Sequence, residues 1–127
     1  IFCDIIMAAR RVSNSTYTLQ IYKGITYSRT FQYKDADDVP IDLTNKSIVI
    51  QLKDIFTSVL QLGSSLPASA LGSSVTITDA LEGKFRLLVT DEETATAELG
   101  TGRWWIELHD AGDVTLLWRD DIKVEDV

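Results

Sequence analysis

Residues that carry chemistry are scarce in this chain. One cysteine, Cys3, and one histidine, His109, occur in 127 residues. A lone thiol cannot close an internal disulfide or build a zinc site by itself, so the sequence does not demand an oxidising compartment. A lone histidine gives no Ser-His-Asp or Cys-His arrangement, and no Gly-rich phosphate loop is present. We expect no enzyme and no cofactor, and we expect His109 to face solvent beside a hairpin. No apolar run approaches the ~18 residues of a membrane span, so no membrane association is expected. Cations are few relative to anions: 12 Lys and Arg stand against 19 Asp and Glu, a net charge of −7. A chain of that sign repels phosphate backbones, which argues against nucleic acid as a partner.

What remains is the patterning of one ordinary domain. Hydrophobic residues make up 45% of the chain and charged residues 24%, enough for a core without staples. The dominant signal is alternation with a period of two. It runs through Tyr17–Tyr22, with Leu19 and Ile21 in phase, and through Thr26–Tyr33, with Tyr27, Arg29, Phe31 and Tyr33 in phase. It is clearest in Ser47–Asp54, where Ile48, Ile50 and Leu52 share a face. Phe56–Leu62 reads as a weaker strand, and Val75 with Ile77 as a short one. Phe85, Leu87 and Val89 follow, then Trp104, Ile106 and Leu108 against Trp105, Glu107 and His109. After a turn at Asp110–Asp113, Val114, Leu116 and Trp118 fall in phase, continued by Ile122 and Val124. Asp120-Asp121 interrupts that phase and suggests a bulge.

One segment breaks the rule. Thr90-Asp91-Glu92-Glu93 has the form of a capping box, so a short helix is expected over Asp91–Leu99, ending at Gly100 or Gly102 and carrying the chain between sheets. Gly63–Ser74, rich in Gly, Ser and Ala, reads as an exposed loop. Short strands separated by turns indicate a two-layer antiparallel β-sandwich. Its expected core is Ile50, Leu52, Phe85, Leu87, Trp104, Ile106, Leu108, Leu116 and Trp118.

Candidate binding residues are few. Asp35, Asp37, Asp38 and Asp42 are hard oxygen donors of the kind calcium takes, but their spacing matches no calcium loop and aspartate is common in turns. We expect no metal there. Trp104 and Trp105 are adjacent, so on a strand they face opposite ways and one indole lies at a surface. That makes Trp105, with Tyr22, a candidate for interaction. Residues 1–16 fall outside the sandwich pattern. Ile5 and Ile6 lie in an apolar stretch ahead of Arg10-Arg11, which reads as an N-terminal arm suited to a neighbour, with the sandwich over 17–127. Met7 reads as a natural start, with residues 1–6 an upstream extension or the tail of something longer.

The stretch from Phe31 through Asp35-Ala-Asp-Asp-Val-Pro-Ile-Asp-Leu-Thr to Ile48 carries a resemblance. So do, in order, Thr76-Ile-Thr-Asp, Gly83-Lys-Phe-Arg-Leu, Thr90-Asp-Glu-Glu-Thr-Ala, Gly102-Arg-Trp-Trp-Ile-Glu-Leu-His-Asp and Val114-Thr-Leu-Leu. Together they resemble the N-terminal domain of phage baseplate upper proteins, a tail and baseplate structural module, over Tyr17 to Val127. The departure is Asp120-Asp121, where such modules often carry a glycine before the last strand. The resemblance implies an all-β, immunoglobulin-like antiparallel β-sandwich with one short helix. It implies a virion structural role in tail, baseplate or neck, with other virion proteins and a homo-oligomer or ring as partners, and no catalytic residues. The alternative, drawn from the aromatic residues, is a carbohydrate-binding sandwich for host recognition.

Overall fold

The computed structural model describes residues 5–8, by backbone pairing alone, and residues 19–126. Their strands are β1 (Ile5–Ala8), β2 (Leu19–Tyr22), β3 (Tyr27–Lys34), β4 (Ser47–Lys53), β5 (Leu60–Gly63), β6 (Ser74–Asp79), β7 (Lys84–Val89), β8 (Gly100–Asp110) and β9 (Asp113–Glu125). One helix, α1 (Asp91–Ala95), lies between β7 and β8. The strands form a four-stranded sheet, β1-β3-β7-β6, and a five-stranded sheet, β2-β9-β8-β4-β5. Most pairs are antiparallel, but β1 runs parallel to β3 and β2 parallel to β9.

The alternation in the sequence sets which side chains meet between the sheets. Phe31, Phe85, Leu87 and Val89 line the four-stranded sheet, and Ile48, Ile50, Leu52, Trp104 and Ile106 line the other, all at 0% exposure. Phe31 stacks on Phe85 with centroids 5.3 Å apart and meets Trp104 across the sandwich at 5.7 Å. Each of these rings contributes roughly 1.5–3 kcal/mol by burial. Leu108 lies at the margin of the core, half-buried against it. Tyr27 and Arg29 share the phase of Phe31, and the guanidinium carbon sits 6.0 Å from the Tyr27 ring centroid.

The helix carries the chain from one sheet to the other but stops after five residues, at Ala95, four short of the expected Leu99. Its capping box is half-formed. Thr90 Oγ1 accepts from the Glu93 N–H at 3.3 Å, whereas the Glu93 carboxylate turns away and accepts from Ser69 Oγ at 2.5 Å. The Thr90 N–H goes instead to Ser73 Oγ at 3.1 Å. The segment expected to be an exposed loop is therefore partly structural: Ser73 is fully buried and holds the helix entry. Beyond the helix, the Glu98 N–H donates to the Ile55 carbonyl at 2.7 Å, which draws the chain into an extended path before a helix can propagate.

Two strand expectations need correction. The weak strand expected from Phe56 begins only at Leu60, because residues 54–58 bend while Ile55 drops into the core. The larger correction concerns β9. Its register against β8 shifts between Ile106 and Glu107, so that Leu117 and Trp118 together oppose Ile106. Both are buried at 3%, and Leu116, expected in the core, is 53% exposed. The interruption lies at Leu117, ahead of Asp120-Asp121. From Trp118 onward the inward phase runs through Asp120, Ile122 and Val124.

Of the stretch read as an arm, Ile5–Ala8 forms β1 and pairs with Phe31–Lys34. The other residues of 1–16, and Tyr17, lie outside the described residues, as does Val127.

Candidate functional face

The bulge sorts the side chains of β9 onto the outer face of the five-stranded sheet. Register places Trp105 between Gln51 and Arg119, Glu107 between Val49 and Leu116, His109 between Ser47 and Val114, and Arg103 between Lys53 and Asp121. Trp104 is fully buried, so its neighbour Trp105 must face out. It is half-buried there, in a shallow depression bordered by Lys53, Arg103, Leu116, Arg119 and Asp121.

Glu107 organises the middle of this face. Its Oε2 accepts from Trp105 Nε1 at 2.8 Å and from Gln51 Nε2 at 3.0 Å. His109 Nε2 lies 2.9 Å from its Oε1. Partial burial alone would push the Glu107 carboxyl up. The hydrogen bonds from His109, Trp105 and Gln51, with the charge of His109, outweigh burial and hold it below its usual range. The consequence is mechanical: an indole and an imidazole on one strand are tied to one carboxylate two residues from each, so the polar centre is fixed in shape.

Apolar surface flanks that centre. Val114 is 58% exposed and Leu116 53% exposed. Val49, on the same face, is covered. A Cβ built at Gly63 would lie 2.9 Å from Leu66 Cδ1 and 3.3 Å from Val49 Cγ2, so Leu66 closes over the space that Gly63 leaves beside Val49.

The four interaction candidates are not brought together. Trp105 sits at the centre of this face. Tyr22 is 42% exposed on edge strand β2, paired with Glu125, six residues along β9 from the position opposite Trp105. That is about 20 Å at ~3.3 Å per residue. Ile5 and Ile6 lie on β1 in the opposite sheet, in register with Phe31 and Gln32. Sequence reasoning overlooked Val114 and Leu116, because strict alternation with Trp118 turned them inward. Glu107 and His109 were legible as sharing the phase of Trp105, although nothing in their spacing signalled that they bind one another.

The acidic cluster forms turns. Asp35 Oδ1 accepts the N–H groups of Asp37 and Val39 at 2.9 and 3.0 Å, and Asp38 lies 3.3 Å from Lys34 Nζ. Hydrogen bonds from the Thr44 hydroxyl and N–H hold the Asp42 carboxyl low. Among the described residues, no three His, Cys, Asp or Glu side chains are grouped to hold a metal.

No family profile matches the chain, and no curated protein does. Among solved structures it is similar to the N-terminal domain of phage TP901-1 ORF48, with a TM-score of 0.61 at 12% identity, covering 97% of each chain. It is also similar to the RIG-5 IG1 domain, solved as a homodimer, with a TM-score of 0.53 at 11% identity, covering 90% of this chain and 94% of that one. The fold is an immunoglobulin-like β-sandwich. The chain enters along one sheet with β1 and crosses to run beside the last strand, β9, with β2. The face around Trp105 is the outer surface of the five-stranded sheet, β2-β9-β8-β4-β5.

Proposed function

We propose that this protein is a structural module of a bacteriophage virion, of the tail, baseplate or neck, working by protein–protein assembly and not by catalysis. The observation that carries this reading is the end-to-end agreement with a phage domain at a TM-score of 0.61 over 97% of both chains. The ordered stretches from Phe31 to Leu117 that resemble baseplate upper proteins support it, because they fall on β3, β4, β6, β7, α1, β8 and β9 in sequence order. The partners are other virion proteins and further copies of this chain. An outer sheet face with exposed Leu116 and Val114 and a fixed, half-buried indole is suited to such contact, since aromatic residues are enriched at interfaces.

The test is to tag the chain in its phage and probe purified particles. Its presence at a stoichiometry fixed by particle symmetry is the expected result, and its absence from particles overturns the reading. Retention on a glycan array, abolished by Trp105→Ala, would replace it with carbohydrate recognition for host attachment.

A further inference from the structure

We propose that the cationic half of the Trp105 face docks an acidic segment of a different virion protein, with an apolar side chain of that segment resting on Trp105 and Leu116. This deepens the assembly reading and rests on it. The first observation is a local reversal of charge. Between the row of Trp105 and the row of Thr101, the outward phase of β4, β8 and β9 carries Lys53, Arg103, Arg119 and Lys123. Asp121 is the one carboxylate in that phase. This stands on a chain whose net charge is −7. All four cationic side chains are exposed, and none forms a salt bridge among the described residues. The carboxylates that bound the patch along the strands are engaged elsewhere. Glu107 holds Trp105, Gln51 and His109, and Glu125 accepts from Gln20 Nε2 at 2.9 Å.

The second observation is that the patch adjoins apolar surface. Arg103 precedes Trp105 by two residues on β8, and Arg119 is the cross-strand partner of the indole. Leu116 stands on the other side of the indole, opposite Glu107, and is 53% exposed. An exposed aliphatic beside a half-buried indole suits a polypeptide, which brings apolar side chains of its own. A polymer of hydroxyls would leave Leu116 and Val114 without an apolar partner, and the charge of the whole chain repels a nucleic-acid backbone. The dimensions set the motif. Trp105 to Thr101 is four residues of β8, about 13 Å at ~3.3 Å per residue. An extended segment fills that length with an apolar residue at one end and acidic residues over the next four. The indole and the leucine supply the buried anchor, and the cations steer and select. Docking therefore weakens as salt rises.

The test uses phage particles. Photoreactive benzoylphenylalanine replaces Leu116, and cross-linked peptides from irradiated particles are read by mass spectrometry. The expected product joins position 116 to an Asp- and Glu-rich segment of another virion protein. In a second arm, wild type competes for entry into particles with Arg103→Glu/Arg119→Glu, checked for native circular dichroism. The double variant should enter at least about tenfold less. Arg86→Glu, exposed in the outward phase of the four-stranded sheet, should enter as wild type does. Changing the acidic residues of the cross-linked segment to lysine should restore entry of the double variant. A cross-link to a second copy, to a segment without excess acid, or to nothing overturns the proposal. So does undiminished entry of the double variant, or an equal loss with Arg86→Glu. In each of those cases a chain present in particles leaves the assembly reading standing, whereas a chain absent from particles ends both.

Discussion

At the scale of single residues, two positions carry most of the consequence. Glu107 is the first. Its carboxyl is held low in the folded protein by His109, Trp105 and Gln51 against the opposing effect of burial. A lowered folded value means stability that is present above the ordinary value of 4.5 and lost as pH falls from there through the folded value. Glu107→Gln should flatten the acid limb of the stability curve between pH 4.5 and the lowered folded value, measured by urea denaturation at a series of pH values. An unchanged acid limb would show that the carboxylate is not held low in solution. The second position is Gly102, where β8 passes the end of β4. A Cβ there would lie 2.2 Å from the Lys53 carbonyl oxygen and 2.7 Å from Ile55 Cγ2. The backbone oxygen cannot step aside without breaking the β4–β8 ladder. Gly102→Ala should cost about 1–3 kcal/mol or more by overpacking, read as a lower urea midpoint. A wild-type midpoint would mean that the strands are not so closely apposed.

At the scale of elements, the bulge in β9 decides what the outer face contains. Leu116 and Leu117 are adjacent and chemically identical, yet one is 53% exposed and the other 3%. Leu117→Ala should destabilise by about 2–5 kcal/mol, and Leu116→Ala should stay within about 0.5 kcal/mol. Equal effects in chemical denaturation would return β9 to unbroken alternation. The same pair marks how far the sequence could be read. Strand identity and inward phase were legible in β4, β7 and β8, where Leu52, Leu87 and Trp104 sit where alternation places them, each fully buried. The capping Thr90 and the sheet-to-sheet role of α1 were legible too. A bulge was not, because inserting one residue leaves composition and propensity unchanged and moves only the phase. The helix ended early for a similar reason: its stop comes from the Glu98–Ile55 bond, a long-range contact that no local pattern encodes. Of the candidate face, Trp105 followed from its neighbour Trp104. The Glu107 network and the apolar flank depended on pairing across β4, β8 and β9, which register alone determines.

At the scale of the whole molecule, the two sheets carry different vulnerabilities. The Trp105 face belongs to the five-stranded sheet, whereas β1 closes an edge of the other by pairing Ile5–Ala8 with Phe31–Lys34. Removing residues 1–8 would leave the N–H and C=O groups along that edge of β3 unpaired, in a segment where Phe31, Gln32 and Tyr33 are buried. An uncovered edge beside apolar residues is a template for strand addition. The stack of Phe31, Phe85 and Trp104 comes from β3, β7 and β8, so the sandwich itself should persist. The truncated chain should keep its β-rich circular dichroism, melt at a lower temperature and scatter more light as concentration rises. Unaltered melting and scattering would show that β1 adds nothing to the edge in solution.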